Sequence, residues 1–155
     1  MDTIEEFRYL VLAAQREGAR ALAAGLKPHD LTPSQAEAIA VLRDAARPLT
    51  VKEIGQRLVC EGGSPSRLMS TLARKGLVDA SADPDDARST LLSLTRAGEK
   101  AAKAVSRVEQ ELYAGLGLVL DDAEMAAALP VLRALVDQLP TGEALRRRIA
   151  DRQDA

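Results

Sequence analysis

A short polar-faced helix followed at once by two apolar runs around an acidic turn constrains this chain more than any other feature. Residues 64–78 read SPSRLMSTLARKGLV. Ser64 stands where an N-cap belongs, Pro65 where a first helical residue loses nothing by lacking an N–H, and Gly76 where a helix stops. Leu68 and Leu72 fall on one face; Ser66, Arg67, Ser70 and Arg74 share parts of the other. Residues 83–95 read DPDDARSTLLSLT. Asp83-Pro84-Asp85-Asp86 is a turn composition, and Leu77 and Val78 before it and Leu91, Leu92 and Leu94 after it predict two short strands.

Upstream, the helix starts are legible. Thr3 with Glu6, Thr32 with Gln35, and Thr50 with Glu53 each fit a capping box, in which the threonine hydroxyl and the third residue's side chain satisfy each other's backbone N–H. A first helix is expected from about Thr3 to Ala24, ended by Gly25 and Pro28. A second starts at Thr32 and stops before Pro48; a third starts at Thr50, buries Ile54 and Leu58, and leads to a Gly62-Gly63 turn. Downstream, Thr95 caps a helix reaching about Leu116. Asp121 or Asp122 caps another, which Pro130 should kink or split. A final short helix holds Leu145 and Ile149, with Arg146–Arg148 read as a solvated face.

Helix, helix, recognition helix and hairpin is the order of a winged helix-turn-helix. The expected architecture is mainly α with a small β-wing: one domain over 1–155, a winged helix-turn-helix lobe over 31–97, and helical dimerisation regions at 1–30 and 98–155. The flanking helices are long and amphipathic, and one small lobe cannot cover them all. Unpartnered apolar stripes find partners in a second chain, so a homodimer follows.

Composition narrows the function. Net charge is −2 with a sequence pI of about 5.5, so a nucleic-acid surface must be a local patch. From Arg43 to Lys100, ten Lys/Arg meet eight Asp/Glu, which makes the middle the basic part. One cysteine excludes an internal disulfide, and one histidine leaves no zinc cluster and no Ser-His-Asp triad. No metal, cofactor or catalytic residue is expected, and an enzyme is disfavoured. No run approaches the ~18 apolar residues of a membrane span. The N-terminus lacks a signal peptide's basic and apolar regions, so a cytoplasmic protein is expected.

The sequence resembles the MarR family (multiple antibiotic resistance regulators) of dimeric winged-helix transcription factors. The likeness rests on LTPSQAEAIAVL from Leu31, PLTVKEIGQRL from Pro48, and Ser66-Arg67 followed by Leu72 and Gly76-Leu77-Val78. It rests most specifically on Asp86-x-Arg88, five residues, then Leu94-Thr95. The resemblance implies a repressor acting as a homodimer on pseudo-palindromic double-stranded DNA. It also implies a small-molecule effector, often an aromatic or phenolic acid in this family, held near the junction of lobe and dimerisation helices. Two departures stand out. Members often carry a second basic residue where this chain has Ala87, and peroxide sensors keep a cysteine in the first helix, where this chain has none.

The candidate DNA-binding residues are Lys52, Ser64, Ser66, Arg67, Ser70, Arg74, Asp86 and Arg88. Arg67, in the first turns of its helix, is placed to meet a base edge; arginine bidentate to guanine is the commonest specific contact. Arg88 would enter a minor groove, with Asp86 holding it by a charge-assisted bond. Lys52, Arg57, Lys75 and Arg96 could touch phosphates. For each, a solvated surface charge is the plainer alternative. Cys60 is either an oxidisable thiol beside the recognition helix or an inert apolar residue. His29 is either a ligand or pH-sensing residue or a plain loop histidine. The competing functional classes are a winged-helix protein-interaction module without DNA binding and a thiol-based redox regulator acting through Cys60.

Overall fold

The computed structural model describes residues 1–60, 63–86 and 88–154. Its elements run α1 (Thr3–Leu26), a 3₁₀ turn (Lys27–His29), α2 (Pro33–Ala45), β1 (Leu49–Thr50), α3 (Val51–Gly55), α4 (Pro65–Arg74), β2 (Val78–Ala82), β3 (Thr90–Leu94), α5 (Arg96–Gly117), α6 (Asp122–Val136) and α7 (Pro140–Asp154). Three antiparallel strands form one sheet in the order β1-β3-β2. Two residues of β1, Leu49 opposite Leu92 and Thr50 opposite Leu91, join the base of the hairpin to the start of α3. A pairing of only two residues has no sequence period, and that is why it was not legible in advance.

The capping boxes at Thr32 and Thr50 form with both reciprocal bonds. At the N-terminus the cap is Asp2, whose carboxylate accepts the Glu5 N–H at 2.8 Å; Thr3 is already the first helical residue. A carboxylate caps as well as a hydroxyl and also suits the positive end of the helix dipole. Asp121 forms the capping box of α6 with Glu124. The helix α6 runs unbroken through Pro130. It therefore tolerates one missing backbone bond and is not split.

Gly25 does not end α1, which continues to Leu26. It lies where α1 crosses α5: a Cβ there would stand 2.6 Å from Val108 Cγ1. Chain reversal instead uses the 3₁₀ turn and Asp30, whose φ is 53°.

The core centres on α2, buried on nearly every face from Gln35 to Leu42. Around it pack Leu26, Leu49, Ile54, Leu68, Met69, Leu72, Val78, Leu92 and Val105. Each such side chain contributes about 1.5–3 kcal/mol on burial, so this cluster fixes the lobe on which α4 and the hairpin are mounted. The flanks differ. Ile4, Phe7, Leu10 and Val11 of α1, Tyr113 and Leu116 of α5, and Leu129, Leu132 and Leu135 of α6 are all exposed. No residue of α6 is buried. Among the described residues, no helix is long and apolar enough to cross a membrane.

Candidate nucleic-acid interface

The helix α4 turns Leu68, Met69 and Leu72 inward. Ser64, Ser66, Arg67, Ser70 and Arg74 are all exposed, so the structure brings five of the candidate residues onto one outward surface. Ser64 occupies the N-cap position, but its side chain makes no capping bond. The serine at 70 bends its hydroxyl back to the Ser66 carbonyl at 2.8 Å, and Arg74 donates to Thr71 Oγ1 at 3.2 Å. Among the described residues, the Arg67 guanidinium makes no hydrogen bond or ion pair and projects freely.

Both ends of α4 are fixed. At its start Gly55 of α3 passes close to Pro65, where an added Cβ would stand 3.0 Å from the ring. At its end Gly76 adopts φ 69°, Leu77 N–H reaches the Leu72 carbonyl at 3.0 Å, and Gly76 N–H reaches Ala73 at 2.9 Å. This is a Schellman closure, which needs the left-handed residue that glycine supplies. The chain then enters β2, and β3 returns to Thr95 beside the same point. The Thr95 N–H donates to the Leu77 carbonyl at 3.1 Å. Gly98 lets α5 start against Leu77, since a Cβ there would overlap the Leu77 carbonyl. Recognition helix, hairpin and α5 are thus locked at one corner.

At the hairpin tip, Asp85 N–H bonds Asp83 Oδ1 and Arg88 N–H bonds Asp86 Oδ1, each at 3.0 Å. Asp86 therefore shapes the turn through the backbone of Arg88. It does not grip the guanidinium as expected, and among the described residues Arg88 enters no ion pair. Both Asp86 and Arg88 are exposed. Ala87 and Gly62, singled out in the sequence, lie outside the described residues.

The phosphate candidates divide. Lys52 is exposed on α3 and, with Ser66, lines a cleft between α3, the start of α4 and α7. Arg96 is exposed at the start of α5. Arg57 is only 8% exposed and forms a bidentate pair with Asp151 at 2.6 and 3.1 Å, which holds its guanidinium above its usual pKa. Lys75 is bound to the Asp30 backbone carbonyl and to its carboxylate at 3.0 Å. Arg57 is thus committed to Asp151, while Lys75, though paired, stays exposed at the surface. Arg146–Arg148 is not one solvated face: Arg148 turns inward to Glu37 at 3.2 Å, while Arg146 pairs with Asp137 and Arg147 with Glu143.

These partners expose what the sequence reading missed. Glu37, Asp44 and Arg57 are buried charges in the lobe, and their partners Arg148, Asp151 and Arg152 come from α7, about a hundred residues on. The available signal was Glu37 and Asp44, seven apart on a helix whose other residues from Ala36 to Leu42 are apolar. Partners so distant in sequence leave no local trace.

Cys60 lies in the link after α3, with its N–H on Glu37 Oε2 at 2.9 Å. Its thiol is pushed up to about 11 by partial burial, and the Glu37 carboxylate pushes it the same way. A thiolate is therefore scarce near neutrality, which is unfavourable for a peroxide sensor. His29 is exposed at the end of the 3₁₀ turn. Among the described residues, no group of three or more His, Cys, Asp or Glu could hold a metal ion.

An exposed polar helix face beside a hairpin, both braced on a helical core, is the arrangement of a winged helix-turn-helix DNA-binding domain. Residues 31–98 match the family model described as a winged helix DNA-binding domain. The chain therefore carries a winged helix DNA-binding domain, and over most of its length it is similar to regulators of the MarR type. It is 26% identical to a mutant MarR of E. coli in complex with operator DNA, covering 88% of this chain and 99% of that one with a TM-score of 0.76. It is 21% identical over 116 residues to the HTH-type transcriptional regulator SarZ of Staphylococcus haemolyticus, covering 75% of this chain and 78% of SarZ. An uncharacterized HTH-type transcriptional regulator of Mycobacterium bovis is 34% identical over 80 residues; the match spans 50% of this chain and 56% of that protein. Both sequence relatives are transcriptional regulators by name.

Proposed function

We propose that this chain is a cytoplasmic, ligand-responsive repressor acting as a homodimer on a pseudo-palindromic operator. The observation that carries this reading is the outward face of α4, where Arg67 is exposed beside a braced wing and makes no pair among the described residues. In this reading 31–97 is the DNA-binding lobe, and 1–30 and 98–155 form the dimer. The exposed apolar residues of α1, α5 and α6 support that division, because burial against a second copy removes them from water. Paired α4 helices would enter major grooves ~10 bp apart. Arg67 would read a base edge, with Ser64, Ser66, Ser70 and Arg74 contacting bases or backbone around it. Lys52 would hold phosphate, and Arg88, on the turn shaped by Asp86, would enter the minor groove.

The effector has a candidate place. A cleft of about 530 Å³ opens between the end of α2, β3 and α5. Leu42, Leu94 and Ala102 line it with Ser106, the cations Arg43, Arg47 and Lys103, and one carboxylate, Glu99. Apolar walls with cations at the rim suit a small aromatic acid. A ligand there bridges lobe and flank, and it releases DNA if it favours a spacing that no longer fits the grooves.

Light scattering at micromolar concentration should give twice the chain mass; a monomer defeats the dimer. Selection of bound sequences from random DNA should return a two-fold motif, and a screen of aromatic acids should find release.

A further inference from the structure

We infer that Glu37 is a positioning residue for DNA binding, tying the segment that leads into α4 to the C-terminal helix α7. Its two oxygens are divided. Oε1 accepts the Val59 N–H at 2.8 Å and Arg148 Nη1 at 3.2 Å, and Oε2 accepts the Cys60 N–H at 2.9 Å. Glu37 is 9% exposed and the Arg148 side chain 17%. Val59 and Cys60 belong to the link between α3 and the Ser64 cap of α4. One buried carboxylate thus serves two backbone donors ahead of the recognition helix and one guanidinium from α7.

The guanidinium is itself held in place. Arg148 stands 3.6 Å from Asp44 Oδ2, Arg152 binds the same oxygen at 2.8 Å, and Arg57 clasps Asp151. Removing Arg148 leaves the Glu37 charge buried without its cation. A buried charge in that state is strongly disfavoured. The carboxylate then turns toward water or takes up a proton, and its hold on the two amides weakens. The Val59–Cys60 stretch ahead of α4 loosens, while α2, also held by Ile39, Val41 and Leu42 in the apolar core, stays in place. A shift of α7 reaches Val59 and Cys60 by the same route.

This inference rests on α4 being the DNA-reading helix, and its test separates the two. In the full-length Arg148→Met protein, amide exchange at Val59 and Cys60 without DNA should quicken roughly ten-fold, the scale of one charge-assisted hydrogen bond. The Kd for a duplex recovered by selection from random DNA should rise roughly ten-fold. The Kd for a scrambled duplex should stay put, because backbone binding depends on charge and not on helix orientation. Arg148→Lys should recover most of both effects. If Arg148→Met does not fold, Glu37→Gln, which keeps one acceptor oxygen, should free at least one of the two amides. Unchanged exchange at both amides in folded protein overturns the tie. Faster exchange with an intact ratio of specific to scrambled affinity overturns the positioning role. Unaltered sequence preference in Ser66→Ala, Arg67→Ala and Ser70→Ala alike overturns the reading of α4 and leaves the exchange result standing.

Discussion

The Thr95 hydroxyl donates to the Gly76 carbonyl at 2.6 Å, so the last residue of the hairpin is bonded to the residue that ends the recognition helix. The same oxygen accepts the Gly98 N–H at 3.0 Å and caps α5. One side chain therefore joins three elements. Thr95→Ala loses both bonds and should destabilise the fold by about 1–2 kcal/mol, the range for lost N-caps. Thr95→Ser should retain most of that. Urea unfolding of both variants measures the difference.

Cys60 should behave as an inert thiol. Partial burial and Glu37 hold it up at about 11. Unfolded, it ionises near its ordinary value of about 8.5. Because the folded pKa is raised, the unfolded state binds fewer protons between those values. The stability linked to this thiol is complete below about 8.5 and is lost as pH rises through about 11. Labelling by a thiol reagent should be slow at neutral pH and rise steeply only toward pH 11. Mild peroxide should leave DNA binding intact in both the wild type and Cys60→Ser. A wild type released by peroxide beside a resistant variant would make Cys60 a sensor.

Most of the lobe was legible because its signals are local. Thr32 with Gln35, Thr50 with Glu53, Pro65 and Gly76 each act within four residues, and each does what its spacing implies. Gly25 was misread because a glycine at a helix end and one at a helix crossing look alike until the neighbour, Val108, is known. Arg57 read as a surface cation because Asp151 is distant in sequence, whereas Lys75 is exposed as read but paired with Asp30. At the wing, Asp86 and Arg88 were rightly grouped, yet the bond uses the arginine's backbone, and residue type alone cannot tell the two apart.

Lys52 and Arg57 should separate in a salt titration. Lys52→Ala removes an exposed charge and should lower the log–log salt slope of DNA binding by about one. Arg57→Ala should leave that slope unchanged, since its guanidinium already faces Asp151. It should instead cost about 1.5–3 kcal/mol of stability, as a charged hydrogen-bond partner is lost. Equal slope changes would show that Arg57 leaves Asp151 to bind phosphate.

The wing offers the sharpest contrast with the recognition helix. Its tip carries Asp83, Asp85 and Asp86, which a DNA backbone repels. Two of these carboxylates are drawn back onto the turn, Asp83 by the Asp85 N–H and Asp86 by the Arg88 N–H. Arg88 is the only basic residue between Lys75 and Arg96, so any attraction the tip exerts falls to it. A minor groove is read mainly by width and potential. Arg88→Ala should then weaken specific and scrambled duplexes by a similar factor and lower the salt slope by about one. Arg67→Ala should change which sequences bind, at about 1–3 kcal/mol per half-site. Measuring both variants on both duplexes across a salt series distinguishes the roles. Should Arg88→Ala keep its affinity and salt slope, the wing does not touch DNA. Should Arg67→Ala keep the wild-type preference across a randomised site, another residue of α4 reads the bases.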